Sequence, residues 1–223
     1  MEPSEIYSAC RERLLELAPT LSSDQLAAPL SATPPWTALD GYRHLTGVCV
    51  DVLDGAMDGA GTPAWTAAQL AARAGRTIDQ VCAEWAERGP QLDDRVAEAG
   101  AAMSFVAFDA WTHEQDIRAA VGAKGVRGGD IVPALAKLAL DTFSGRYAKS
   151  GAPAVQVVLD SRERTLGEGE PTVRLETTPY ELLRIVFGRR SRAQVRAAGW
   201  TGDSEEAIEA FHLFDFPPHD VED

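Results

Sequence analysis

Cysteine is scarce in this 223-residue sequence. Cys10, Cys49 and Cys82 are the only three, and they lie far apart with no C-x-x-C pair. So few and so widely spaced cysteines exclude a disulfide scaffold, which needs a dense and paired set. An odd number of dispersed thiols instead indicates reduced cysteines, each of them a small core residue rather than a nucleophile.

Long apolar runs and a secretory leader are also missing. The most apolar stretch, Ile131–Leu140, is broken by Pro133 and Lys137 and is too short to span a bilayer. The first five residues, Met-Glu-Pro-Ser-Glu, lack the basic and apolar regions of a signal peptide. We therefore expect a cytoplasmic protein that is not associated with a membrane.

Positive charge is in short supply, with 21 Lys+Arg against 34 Asp+Glu and a net charge of −13. Affinity for phosphate backbones and anionic lipids comes from clustered bases, so the charge argues against nucleic acid and membranes as partners. The segment Asp203–Asp223 holds eight acids and no base, and we expect it to be a solvated, partly ordered tail. The abundance of Ala, Gly and Arg is typical of a GC-rich, actinobacterial genome.

Apolar residues with helical spacing dominate the first two-thirds of the chain. Helices are predicted over about 5–18, 37–57, 65–74, 77–96, 104–121 and 130–147, with a break at Gly89-Pro90. Beyond residue 150, strands are predicted at 154–159 and 172–176, with a hairpin in Ser161–Glu170 and helical segments at 178–187 and 194–198. The expected fold is α+β, mainly α: a helical bundle over 1–149 followed by a small α+β domain over 150–223.

Two of the four histidines lie on predicted core helices, whereas His212 and His219 fall in the acidic tail. His44 is at the edge of an apolar stripe, and Asp109 and His113 share one face of another helix at i and i+4. Two imidazoles and a carboxylate are a usual catalytic zinc set, and helical bundles build metal sites from facing helices. The alternative is a histidine that is simply hydrogen-bonded to an aspartate, because one such pair is common by chance.

Two segments resemble signatures of the DinB-like, mycothiol-dependent maleylpyruvate isomerase family. Trp36–Gly47 is similar to its W-x-x-x-D-x-x-x-H-L-x-G start, and Phe108–Arg118, followed by Gly122, is similar to its second signature. Phe187–Arg192 and Trp200–Asp203 resemble the end of its small second domain. The resemblance covers most of the chain and implies a DinB-like four-helix bundle followed by a small α+β domain.

The resemblance also implies a ligand set and a chemistry. It implies a divalent metal ion of the zinc type held by His44, Asp109 and His113, with glutamate at the position of Asp109 in the family's type enzyme. Mycothiol, the small thiol of actinobacteria, is the implied cosubstrate, and a bound metal stabilises its thiolate. We therefore expect a metal- and mycothiol-dependent isomerase or S-transferase of a small electrophilic substrate, as a monomer or homodimer.

Further site residues are less firmly indicated by the sequence. Asp116 lies one turn beyond the second histidine and is either an acceptor for an imidazole N–H or a partner for Arg118. Arg118 is a catalytic candidate because it can hold a substrate carboxylate, and so is Asp116. Arg189 and Arg190 form a tight basic cluster with Arg192 and are candidates for binding a carboxylate or the thiol, the alternative being a solvated turn or partners for nearby acids.

Two other functions fit the same residues. One is a non-catalytic metal- or small-ligand-binding protein on this fold, because a fold does not fix a function. The other is a structural helical module in which the histidines and aspartate are satisfied polar residues. The sequence has no G-x-S-x-G elbow and no P-loop, and Gly59–Ala64 mimics a dinucleotide fingerprint without a preceding strand.

Overall fold

The computed structural model describes residues 1–160 and 162–223, which form two compact units. The first unit comprises Met1–Gly125 with Asp223, and the second comprises Val126–Glu222. The helices of the first unit are α1 (Pro3–Leu17), α2 (Ser23–Leu26), α3 (Ala38–Asp54), α4 (Pro63–Arg73), α5 (Ile78–Ala99) and α6 (Ser104–Ala120). Within the described ranges, no helix is long and apolar enough to cross a membrane.

The four long helices of the first unit, α1, α3, α5 and α6, pack into a bundle. α1 and α3 each contact both α5 and α6, and α4 lies along α3. Aromatic side chains in the core satisfy their polar atoms internally, since the Tyr42 hydroxyl donates to the Leu14 carbonyl at 2.9 Å. The core is filled by Ile6, Leu14, Leu45, Val52, Trp85, Leu92, Val106 and Ile117. The predicted helical bundle is therefore present.

A capping box fixes the start of α3 and with it the orientation of His44. The Thr37 hydroxyl accepts from the backbone N–H of Asp40 at 3.2 Å, and the Asp40 carboxylate accepts from the backbone N–H of Thr37 at 3.0 Å. This reciprocal pair satisfies two of the donors that a helix start leaves unpaired. The predicted start of the helix at Thr37 is confirmed, and the apolar stripe of α3 faces the bundle.

The predicted break at Gly89-Pro90 is wrong, because α5 runs without interruption from Ile78 to Ala99. Pro90 is exposed, so its ring points away from the core. A proline inside a helix costs about 3 kcal/mol through its lost N–H and a clash with the preceding turn. The apolar face of α5, which includes Trp85 and Leu92, is fully buried, and this packing outweighs the local cost.

Gly89 leaves room for a partly buried ion pair between α1 and α5. The Arg11 guanidinium crosses this position and donates to the Asp93 carboxylate at 2.6 Å. A Cβ at Gly89 would lie 2.4 Å from Arg11 Cδ, which is too close for any real contact. This position therefore needs glycine because it has no side chain, and not because the chain turns here.

The second unit combines helices with a four-stranded sheet. Its elements are α7 (Ile131–Lys149), β1 (Val155–Leu159), β2 (Arg162–Leu166), β3 (Val173–Thr177), α8 (Pro179–Val186), α9 (Arg192–Arg196), β4 (Gly199–Thr201) and α10 (Glu205–Ala210). The strand order is β2-β1-β3-β4. The strands β1 and β3 are the two predicted from sequence and run parallel, with Val157 opposite Leu175. β2 pairs antiparallel with β1 in the predicted hairpin segment, of which Ser161 lies outside the described residues.

Helix α7 belongs to the second compact unit and packs against α8. Phe143 and Tyr147 on α7 meet the ring of Phe211 at centroid distances of 5.6 and 5.8 Å. These aromatic contacts explain why the helix stays with the sheet-containing unit. The division expected between residues 149 and 150 assigns α7 to the first domain instead, and that domain assignment stays a prediction.

The acidic C-terminal segment, expected as a solvated and partly ordered tail, is in part packed. Ile208 and Phe211 are buried, and the Ser191 hydroxyl bonds to the carboxylate of Asp220. The Gln194 side chain donates to the Val221 carbonyl at 2.9 Å. Apolar residues spaced among the acids anchor the segment, while most of its carboxylates stay at the surface.

Replacing Gly89 by alanine tests the role of this position. We expect Gly89→Ala to lower the free energy of unfolding by about 1–3 kcal/mol, because the new methyl displaces Arg11 from Asp93. Urea denaturation measures the change. Gly145→Ala is the matched control, since nothing lies within 4 Å of a Cβ at this position of α7. The control should be neutral or up to about 1 kcal/mol more stable, and an equal effect of the two substitutions would contradict the packing argument.

Candidate metal centre

Two adjacent helices of the bundle bring together the three residues predicted as metal ligands. His44 is on α3, and Asp109 and His113 are one turn apart on α6. Both imidazoles are buried, whereas the Asp109 side chain is 27% exposed. The apolar stripe of α3 and the i, i+4 spacing on α6 therefore place all three side chains on facing surfaces.

The three side chains converge with distances that suit a small divalent cation. His44 Nε2 lies 3.3 Å and His113 Nε2 lies 3.7 Å from Asp109 Oδ1. One donor atom from each residue lies within 4.8 Å of the other two. Metal–ligand bonds of about 2.1 Å in a tetrahedron place ligand atoms about 3.4 Å apart. The donor set and its spacing thus fit a zinc-type ion, and metal binding by this trio stays a prediction.

Each imidazole also has a polar partner on the side away from Asp109. His44 Nδ1 lies 2.8 Å from Gln69 Oε1, and Gln69 Nε2 donates to Asp51 Oδ2 at 2.7 Å. His113 Nδ1 lies 3.3 Å from Asp116 Oδ2. Partners at Nδ1 are typical of metal-ligating histidines, because they leave Nε2 directed at the metal.

Of the two roles predicted for Asp116, the structure favours the first, in which its carboxylate lies next to an imidazole. Its carboxylate is buried beside His113, whereas the Arg118 guanidinium donates to Glu114 Oε1 at 2.9 Å and to the Lys124 carbonyl at 3.3 Å. Nine residues separate Arg118 from Asp109, which is about 180° around an α-helix. The structure therefore does not bring Arg118 to the three ligands.

Arg118 is held away from the three ligands by its ion pair with Glu114. This carboxylate is fully buried and accepts from Arg13 Nε and Nη2 at 2.7 and 2.6 Å as well as from Arg118. A buried carboxylate is tolerated only when paired and hydrogen-bonded, and two guanidinium groups meet this need. Helix α6 is therefore buried on the side of Glu114 as well.

Two tryptophans flank the imidazoles. The ring of Trp36 stacks on His113 with centroids 5.6 Å apart and lies 4.9 Å from His44. Trp65 meets His44 edge-on at 6.4 Å and donates from its indole N–H to the Ala56 carbonyl at 3.1 Å. These rings pack against both imidazoles and hold their planes in place.

The arginine cluster of the second unit is not a solvated turn. Arg190 Nε and Nη2 each donate to the Glu181 carboxylate at 2.8 Å, and Arg189 Nη1 donates to the Phe187 carbonyl at 2.6 Å. Both residues are largely buried, and Arg192 pairs with the carboxylate of Glu209. Binding of a carboxylate or a thiol by Arg189 and Arg190 stays a prediction.

The chain's own thiols are poor nucleophiles. All three cysteines are free. Burial raises the pKa of Cys10 well above its usual value, that of Cys49 to about 11 and that of Cys82 to about 12. Because the thiolate is the reactive form, these residues are protonated and unreactive at neutral pH.

Gln69 and Asp51 are two residues of the site that the sequence analysis does not predict. Asp51 follows His44 by seven residues, a spacing that puts both on one face of α3, so it was detectable. Gln69 lies on a different helix, and nothing in the local sequence of α4 marks it out. Trp36 is part of the quoted motif, but only the fold places its ring on the two imidazoles.

The class of fold and the comparisons with known proteins agree. No family model and no curated protein matches the sequence. Among solved structures, the mycothiol-dependent maleylpyruvate isomerase is similar, with 12% identity, a TM-score of 0.56 and coverage of 97% of this chain and 95% of that one. A histidine-to-alanine variant of that enzyme matches with the same identity and coverage and a TM-score of 0.55. The chain therefore has the predicted DinB-like fold, a mainly helical α+β architecture.

Removal of single ligands tests the metal centre. We expect zinc-loaded wild type to retain about one ion per chain after dialysis, and His44→Ala and His113→Ala to lose it, because two ligands hold zinc far more weakly than three. Elemental analysis measures the content, and circular dichroism checks the fold. His212→Ala is the control, since this ring bonds to the Phe214 carbonyl in the other unit. Equal zinc in wild type and His44→Ala would exclude the site.

Proposed function

We propose that this chain is a metal-dependent enzyme that uses a low-molecular-weight thiol, mycothiol, to isomerise or S-conjugate a small electrophilic substrate. The observation that carries the proposal is the convergence of His44, Asp109 and His113 in a DinB-like bundle. A solved protein of similar fold is a mycothiol-dependent isomerase, which supports the choice of thiol. The proposed metal is zinc, because two imidazoles and one carboxylate are a usual zinc set.

The three side chains have a defined task in this function. His44 and His113 would hold the ion through Nε2, and Asp109 would supply one oxygen and a negative charge. Three protein ligands would leave the ion able to take one further ligand. A metal held by these residues would stabilise a thiolate over a thiol at neutral pH. Because the chain's own cysteines stay protonated, the sulfur nucleophile comes from a separate small molecule.

Two reactions share this site. In an isomerisation, the thiolate forms a C–S bond with an activated double bond, the new single bond rotates, and the same C–S bond breaks to restore the alkene. In an S-transfer, the C–S bond remains and the carbanion formed by the addition takes up a proton from water. The same surroundings are present in both reactions, because Trp36 and Trp65 pack beside the imidazoles. Arg189 and Arg190 are proposed to bind the carboxylate of the substrate or the polar part of the thiol.

The cellular setting follows from the same proposal. We propose an actinobacterial source, because mycothiol is the small thiol of actinobacteria and the composition is rich in Ala, Gly and Arg. Free, buried thiols are typical of a reducing compartment, so we propose the cytoplasm. The proposed assembly is a monomer or a homodimer.

Thiol binding separates an enzyme from a protein that only binds metal. With zinc loaded, we expect mycothiol to raise the Tm of wild type but not of His44→Ala, since a ligand of the native state at 100 times its Kd adds about 2.7 kcal/mol. Differential scanning fluorimetry against glutathione and cysteine measures the selectivity, and maleylpyruvate with mycothiol tests turnover. A zinc-loaded protein that responds to no thiol would contradict the proposal and favour a non-catalytic metal-binding protein.

The arginines are tested by kinetics. We expect Arg189→Ala to raise KM for a carboxylate substrate or for mycothiol by about tenfold, the equivalent of about 1.4 kcal/mol, with a smaller effect on kcat. Arg196→Ala is the control, because this exposed guanidinium pairs with Glu205 at the surface. Unchanged KM and kcat in Arg189→Ala would remove this residue from the proposed site.

A further inference from the structure

A hydrogen-bonded chain leads from Asp51 through Gln69 to His44, and the proposed function does not yet use it. We propose that Asp51 and Gln69 are positioning residues that fix the tautomer and ring orientation of His44. The imidazole then presents an unprotonated Nε2 toward Asp109 before any metal arrives. The inference rests on the proposed metal site for its purpose, while its geometry stands on the described contacts alone.

The order of donors and acceptors determines the direction of the chain. A carboxylate only accepts, so the group of Gln69 that lies 2.7 Å from Asp51 Oδ2 is its amide NH₂. The amide oxygen of Gln69 is thereby turned toward His44 Nδ1, at 2.8 Å. Only a protonated Nδ1 can donate to that oxygen. Both ring nitrogens face an acceptor oxygen, Nδ1 at 2.8 Å from Gln69 and Nε2 at 3.3 Å from Asp109 Oδ1. A neutral imidazole carries one proton, and the shorter contact assigns it to Nδ1, which leaves the lone pair at Nε2.

The helical spacing of α3 creates the surface against which Gln69 packs. His44, Gly47 and Asp51 are at i, i+3 and i+7 and so lie in one row along the helix. Gln69 rests against the middle of this row, where a Cβ on Gly47 would lie only 2.6 Å from Gln69 Cβ. The amide therefore reaches both polar side chains of the row at once because the residue between them has no side chain.

Burial makes the arrangement rigid. Gln69 is 2% exposed, so water does not compete for its amide, and its two bonds hold the side chain in a single orientation. An amide between the carboxylate and the ring also directs the Nδ1 proton without placing a full charge against the imidazole. Partners of this kind alter metal affinity by about 10–100-fold.

The tautomer is measurable in the metal-free protein. Long-range ¹H–¹⁵N correlation spectra of the histidine rings distinguish a protonated Nδ1 from a protonated Nε2. We expect the Nδ1–H form of His44 in wild type, and a shift toward Nε2–H or a mixture in Gln69→Leu and in the isosteric Asp51→Asn. Asp54→Asn is the matched control, because this exposed carboxylate lies one turn further along α3 and pairs with Arg88.

Zinc affinity, measured by competition with a chelator, gives the second readout. We expect Gln69→Leu and Asp51→Asn to bind zinc about 10–100-fold more weakly than wild type, and Asp54→Asn to stay within about twofold. An Nε2–H tautomer in wild type, or an unchanged tautomer in both variants, would overturn the inference whatever the affinities. The expected tautomers without zinc binding in wild type would support the positioning role and refute the metal site, so the two proposals fail separately.

Discussion

The packing of α3 against α6 is the contact on which the candidate site depends. It places one imidazole from α3 opposite an imidazole and a carboxylate from α6, in an environment where unsatisfied polar groups cost free energy. The bundle meets this cost with further polar side chains, among them Gln69 and Asp116, that lie behind the two rings. A purely structural bundle would place apolar residues behind the two rings. Buried polar side chains at such positions are typical of a ligand-binding site.

Helix α6 carries charged side chains on two of its faces, and the two groups make different contacts. On one face Asp109 and His113 point at α3, and on a second face, about 100° around the helix from His113, Glu114 accepts from Arg13 and Arg118. The Glu114 cluster links α6 to α1 and satisfies its own charges, so it stabilises the helix in place. The carboxylate of Asp109 on the first face stays partly exposed.

The sequence predicted those parts of the fold that depend on local chemistry. The capping box at Thr37 determines the start of α3, and the helical spacing of His44, Asp109 and His113 indicates the inward faces of α3 and α6; the structure brings these three residues together. The prediction for Pro90 failed because a local rule was applied where tertiary packing decides the outcome. Gln69 could not be predicted, since its role arises only when α4 lies on the row that contains Gly47.

The unequal exposure of the three predicted ligands has a kinetic consequence. The imidazoles are enclosed, and the Asp109 carboxylate, 27% exposed, is the part of the set that solvent reaches. At the proposed metal site, an ion would therefore enter and leave past the carboxylate. Its negative charge would attract cations over a range that becomes shorter as the salt concentration rises. The rate of ion capture would then depend on ionic strength, whereas retention of the ion would depend on the two enclosed rings, so different residues would govern the two processes.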